Sequence, residues 1–155
     1  MRGFRPKDYT SCRVWKVQAE MDLTQILRSG MVPTQDGLYR AEGQAWEAGV
    51  DGPALTRFEL KGSLVLGELE EEDAFTLDPT VVASAGQDTS LSCGDGPLGA
   101  DGFFGCSYQK RLVWVVFLHN SNPFSNIRID GSAVEFFNNL GNHLKIDLSS
   151  PYFAV

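Results

Sequence analysis

The side chains in this sequence that could do chemistry are few, and their spacing keeps them apart. His119 and His143 are the only histidines. A histidine base or metal ligand needs a carboxylate or thiol beside it, and none stands at a characteristic spacing from either. Asp95 and Asp101 flank the glycines of "GDGPLGADG", but they miss the D-x-[DN]-x-[DN]-G order that brings successive oxygens onto one calcium ion. Ser90, Ser92 and Ser107 lack the G-x-S-x-G turn that exposes a nucleophilic serine, and Cys106, in "FFGCSY", has no adjacent base to hold a thiolate. Neither G-x-G-x-x-G nor G-x-x-x-x-G-K-[ST] occurs, so a nucleotide phosphate cradle is not indicated. The expectation is a protein that is not an enzyme and needs no cofactor and no metal.

Two polar stretches stand out as candidate contact sites. "ELEEED" places Glu68, Glu70, Glu71, Glu72 and Asp73 together with no basic run beside them. Such a run is ordinarily a solvated loop. Its charge also suits a basic protein cleft, where charge-assisted hydrogen bonds and electrostatic steering act together. "HNSNPF" offers Asn120 and Asn122 ahead of Pro123. Asn tolerates left-handed backbone angles and Pro fixes φ, so this stretch is first of all turn chemistry. A different class of function, a carbohydrate-binding sandwich, would use Tyr39, Trp46, Phe103, Phe104 and Tyr108 as stacking platforms. Exposure separates the two readings, because a row of solvent-facing rings favours sugar and an acidic convex patch favours a protein. An enzyme would instead need a deep pocket uniting His119 or His143 with carboxylates.

Charge and composition narrow the classes further. Thirteen basic and twenty acidic residues give a net charge of -7, which repels a phosphate backbone, so no nucleic-acid partner is expected. "MRGFRPKDYTSCRVWKV" has no apolar segment of signal-peptide length, and "LVWVVFL" is too short to span a bilayer. A cytoplasmic protein without membrane contact is expected. Cys12, Cys93 and Cys106 are odd in number and lack C-x-x-C spacing, which indicates neither a disulfide framework nor a zinc knuckle. A Cys93 to Cys106 bridge across the glycine-rich loop stays open.

The elements that must position these groups read mostly as strands. With 155 residues, 43% of them hydrophobic, the chain supports a single domain over 1–155. "CRVWKVQAEM" alternates Trp15, Val17, Ala19 and Met21 against polar residues, as a half-buried strand does. "DLTQILRSG" carries Asp22 as N-cap, Gln25 three residues later and Gly30 to end a short helix. Residues 32–53 read as mostly loop, with a short strand at 38–42. "LTRFELKGSLVLGEL" alternates as one long strand bent at Gly62, with Phe58, Leu60, Leu64 and Leu66 on one face. "FTLDP" and "TVVAS" are short strands broken at Pro79, and 94–105 reads as a loop.

The last third is the most regular. "RLVWVVFL" is continuously apolar and rich in branched and aromatic types, as a strand buried on both faces is. After the Asn-Ser-Asn-Pro corner, Phe124 is the first inward residue of the next strand, which continues through "SNIRI". Asp130-Gly131 then forms a type I′ turn into "SAVEFF", and a turn at 138–141 leads to "HLKIDL". These four strands form an antiparallel meander, and the expected fold is all-β: a mainly antiparallel β-sandwich or partly open barrel with one short helix near the N-terminus.

The segment from Leu112 to Pro151, an apolar Trp-bearing strand, an "SNPF" corner, a hairpin and "NLGNHLKIDL", resembles the C-terminal part of small cytoplasmic immunity proteins of bacterial polymorphic toxin systems. The resemblance implies a stoichiometric inhibitor that covers the active site of a cognate toxin domain and performs no reaction. It carries over no catalytic residue. A monomer or weak dimer is expected, with Glu68, Glu70, Glu71, Glu72, Asp73, Asn120 and Asn122 as the contact candidates.

Overall fold

Ladders and tight turns, with one short helix, carry the chain through residues 22–155, the part that the computed structural model describes. The strand expected at 12–21 lies outside the described residues, as does Cys12. Helix α1 (Leu23–Arg28) is capped as its sequence requires. The Asp22 carboxylate accepts from the Gln25 amide at 2.9 Å, the Gln25 side chain accepts from the Asp22 amide at 3.0 Å, and Gly30 ends the turn at φ +77°. Ile26 and Leu27 are its buried residues.

Three strands then occupy the stretch that reads as mostly loop: β1 (Met31–Pro33), β2 (Gly37–Arg40), where the short strand at 38–42 is expected, and β3 (Ala45–Val50). All four residues of β2 are buried, so its sequence cannot show the polar and apolar alternation by which a half-exposed strand is recognised. Next come β4 (Phe58–Ser63), a 3-10 turn at Glu71–Asp73, β5 (Ala74–Thr76) and β6 (Val81–Ser84). The long strand expected around Gly62 is therefore only six residues. Phe58 and Leu60 pack into one core while Leu64 and Leu66 pack into the other, because the chain crosses a sheet edge after Ser63.

β7 (Thr89–Asp95), β8 (Gly102–Tyr108) and β9 (Arg111–Leu118) follow. The loop expected over 94–105 shrinks to 96–101. Gly102 belongs to β8 because the corner presses on it: a Cβ there would sit 2.5 Å from the Asn122 carbonyl oxygen. β10 (Phe124–Asp130), β11 (Ala133–Asn138) and β12 (His143–Asp147) complete the fold. Asp130 pairs with Ala133, so the hairpin turn is Gly131-Ser132, one position later than the sequence suggests, with Gly131 at φ +64°.

Among the described residues, all strand pairs are antiparallel and form three open sheets. The largest has the order β4-β3-β2-β9-β8-β7-β6, a second is β10-β11-β12, and a third is β1-β5. The expected four-strand meander is thus split: β9 stays in the large sheet and the corner hands the chain to the small one. That answers what the corner is for structurally. Phe124, fully buried, is the first inward residue after it, as expected.

The two faces of the large sheet make two cores. On one, Leu38, Phe104, Cys106, Trp114 and Val116 meet Phe124, Val134, Phe136, Leu144 and Ile146 of the small sheet. On the other, Tyr39, Phe103, Val115 and Phe117 are covered by Leu27 and Val32, with Phe75 packed edge-on against Phe103 and Phe117. A shift in register between Leu112 and Trp114 sets this division within β9. Trp114 also anchors the C-terminal segment: its Nε1 donates to the Phe153 carbonyl at 2.9 Å, and the Phe153 ring packs edge-on against the indole. Arg40, itself buried, donates to the carbonyls of Tyr152 and Ala154 at 2.8 Å each. Three successive carbonyls are therefore held by two buried donors.

Replacing Trp114 by Ala removes the largest buried ring and leaves the Phe153 carbonyl without its donor, so a loss of about 3 to 5 kcal/mol is expected. Urea unfolding followed by far-ultraviolet circular dichroism measures it, and a wild-type midpoint would contradict the packing described.

Candidate functional site

The acidic stretch is a projection with an ordered backbone. Glu68, Glu71, Glu72 and Asp73 are exposed, while Leu69 is buried beneath them as an anchor. The Asp73 carboxylate accepts from the Glu70 amide at 2.9 Å, and the Asp73 amide donates to the Glu70 carbonyl at 2.9 Å, closing the 3-10 turn. Thr34 ties it to the end of β1 by donating its amide to the Asp73 carbonyl at 2.9 Å. Among the described residues, no basic side chain forms an ion pair with Glu68, Glu71, Glu72 or Asp73. Val65, 89% exposed, precedes them.

The Asn corner is far from this projection in the chain and is organised by a buried amide. Asn138 donates from Nδ2 to the carbonyls of Pro53 (2.7 Å) and Ser121 (2.9 Å), and its Oδ1 accepts from the amides of Leu140 (3.1 Å) and Asn142 (3.0 Å). All four hydrogen-bonding positions of this side chain are filled, which locks three loops together. Asn122, at φ +64°, bonds Asn139 Oδ1 through Nδ2 at 3.1 Å, so its amide already serves the corner. Asn120 is exposed. The site residues expected from sequence thus fall into two groups, an acidic projection and a structural corner.

Both histidines do meet carboxylates, which their spacing in sequence gave no sign of. His119 Nδ1 lies 3.8 Å from Asp101 Oδ1, and the His119 amide donates to Asp36 Oδ1 at 2.7 Å. His143 Nε2 is 3.1 Å from Glu135 Oε2, and Glu135 Oε1 takes Arg128 Nη2 at 2.5 Å. Glu135 is nearly buried because Arg128 and Lys145 stand directly across from it on β10 and β12. It is a neutralised carboxylate on the outer face of the small sheet. The alternation in "SAVEFF" puts Glu135 on that face, but only the hairpin register reveals its partners.

Of the five candidate stacking rings, Tyr39, Phe103 and Phe104 are fully buried in the two cores. Trp46 is half-buried with Tyr152 edge-on at 5.2 Å, and Tyr108 alone is exposed. Burial, reinforced by the Asp36 charge, pushes the Tyr39 phenol well above its ordinary range, and its hydroxyl donates to the Gln35 carbonyl.

One depression among the described residues is not signalled by any motif in the sequence. Where α1 and the segment after β5 stop short of covering the outer face of the large sheet, a cleft of about 740 Å³ opens over Leu27, Leu77, Phe103, Leu112 and Val115. A second cleft of about 550 Å³ borders on it and has Ala41, Glu42, Arg111 and Leu112 in common with it. Arg28, Lys110 and Arg111 line the first and Arg40 the second. Lys110 enters on a two-residue hairpin turn in which Gln109 and Lys110 both have positive φ, +50° and +67°. The adjacent cations of "QKR" were the available signal.

No protein-family model, no curated protein and no solved structure matches the chain. Among the described residues there is no group of three or more His, Cys, Asp or Glu placed to hold a metal, and no helix long and apolar enough to cross a membrane.

Cys93 and Cys106 are free and buried on neighbouring strands, two positions out of register. Burial pushes the Cys93 thiol from about 9 to about 12, with Asp95 adding to it, and burial pushes Cys106 to about 11 against the opposing charge of Arg40. In a Cys12→Ser background at pH 8, neither thiol should react with a disulfide reagent until urea unfolds the chain. The unfolded chain releases these protons from pH 9 upward while the folded one keeps them, so their stabilising effect is whole below pH 9 and is lost progressively toward pH 11 to 12. Urea titrations at pH 8 and 10 should show that loss, and Cys93→Ala with Cys106→Ala should reduce it.

Proposed function

We propose that this protein is a non-catalytic, stoichiometric binding protein of the immunity type, which inserts an acidic projection into the basic active-site cleft of a toxin domain. The observation that carries this reading is the ordered acidic turn: Glu68, Glu71, Glu72 and Asp73 are exposed, and no described basic residue pairs with these four. Charges fixed on a hydrogen-bonded turn lose little freedom on binding. Val65 supplies an exposed apolar contact just ahead of them. The alternative use of the surface, sugar stacking, has little support, since three of its five rings lie inside the cores. The resemblance of the C-terminal forty residues to immunity proteins points the same way.

The test leaves Glu70 in place, because it helps to close the 3-10 turn. Glu68→Lys, Glu71→Lys and Glu72→Lys together should change the urea midpoint little, since solvated surface substitutions stay within about 0.5 kcal/mol each. Affinity for the toxin domain encoded next to this gene should fall by about 2 kcal/mol or more, with the wild-type association slowing as salt rises. Calorimetry at low and high salt reads both. Wild-type affinity in the triple variant would remove the acidic turn from the interface.

A further inference from the structure

The charges of the described residues are unevenly spread, and three cations collect at the cleft on the outer face of the large sheet. Residues 22–155 contain eighteen acidic and eight basic side chains. Three of those eight, Arg28, Lys110 and Arg111, line the cleft, against one acid, Glu42. Glu42 is already engaged by Arg40, with Nε to Oε1 at 3.2 Å. Arg28, Lys110 and Arg111 form no ion pair with any described residue.

A second observation is independent of charge. The turn that carries Lys110 to the cleft places two residues with side chains at positive φ, where Asn-Gly or Gly is the relaxed choice. A backbone of this kind persists only where surrounding contacts impose it, and here the Gln109 amide is tied to the Asp88 carbonyl at 2.8 Å. The floor beneath is apolar and partly made of small residues: Ser92, Gly105 and Ser107 lie on the same face as Phe103 and Val115 and leave the sheet surface low.

We propose that this cleft binds a single-chain amphiphile with a carboxylate head, its alkyl chain over Leu27, Phe103, Leu112 and Val115 and its head between Arg28, Lys110 and Arg111. A cleft of about 740 Å³ falls in the size range of small-molecule sites and accommodates one alkyl chain. The apolar floor accounts for the chain, and three cations without an ion pair among the described residues, in a protein of net charge -7, account for the anionic head. This site is separate from the acidic turn and does not rest on the toxin-binding reading.

The probe is dodecanoate, titrated into the full chain below its micelle concentration and followed by calorimetry and amide NMR. Saturable one-to-one binding is expected, with the largest shifts at Gly105, Leu112 and Val115. Lys110→Glu with Arg111→Glu should weaken it at least tenfold, roughly the loss of one charge-assisted contact, at an unchanged urea midpoint. Lys110→Gly should weaken dodecanoate while raising the midpoint, since glycine relaxes the turn. Dodecanol should bind at least tenfold more weakly than dodecanoate. Lack of saturation by about 1 mM, an affinity unaltered by the charge reversal, or equal binding of dodecanol would each overturn the proposal. So would tighter binding of dodecyl phosphate, which would reassign the head group. Nuclear Overhauser contacts between Val115 and residues 1–21 in the ligand-free chain would assign the cleft to the protein itself and overturn it as well.

Discussion

Burial of one strand on both faces is the constraint from which the rest of this structure follows. Trp114 to Leu118 have no exposed surface, so each face of β9 must be covered by something apolar. On one side the cover is the sheet β10-β11-β12, and on the other it is α1 with the β1-β5 pair. The chain ends β9 at Leu118 and must leave the large sheet at once to build the first of these covers. The corner from His119 to Pro123 performs that transfer, and it is held by Ser121 Oγ on the Asn122 carbonyl and by Asn122 Nδ2 on Asn139. Each inward Leu, Ile or Phe that the small sheet contributes adds about 1.5 to 3 kcal/mol of burial, so the covering sheet is stabilised by the same strand that requires it.

The ends of this layered core are closed by polar side chains used to capacity. Asn138 satisfies four groups from three loops, and Arg40 with Trp114 satisfies three carbonyls of the C-terminal segment. Burying an amide or a guanidinium is unfavourable unless its partners are complete, and here they are. The result is a scaffold whose loops are fixed from inside. Exposed groups on those loops are thus held in place before any partner arrives, which lowers the entropy lost on binding.

That rigidity bears on both charged surfaces. The acidic turn is anchored through Leu69 and Thr34, and the cationic cleft is framed by α1 and by the β8 to β9 turn. Three basic groups gather at one depression of a protein of net charge -7, so the described surface carries a local field of opposite sign beside its acidic turn.

What was legible in the sequence was local. The Asp22 and Gln25 spacing specifies a capped helix, the unbroken apolar run from Leu112 to Leu118 specifies a strand buried on both sides, and the glycines at 131 and 141 mark the turns of the last hairpins, because caps, periodicity and positive φ are properties of neighbouring residues. Partnership was not legible. β2 carries no alternation because it is covered on every side, Phe103 and Phe104 look like stacking platforms until β7 and β9 enclose them, and the pairing of Glu135 with His143 depends on a register that a one-residue slip would destroy. The cations at 28, 110 and 111 are likewise scattered along the chain, and a shared depression is made only when α1 and the β8 to β9 turn meet over one sheet face. Which strands form is a matter of local pattern, whereas which side chains meet is decided by long-range pairing that no window of sequence contains.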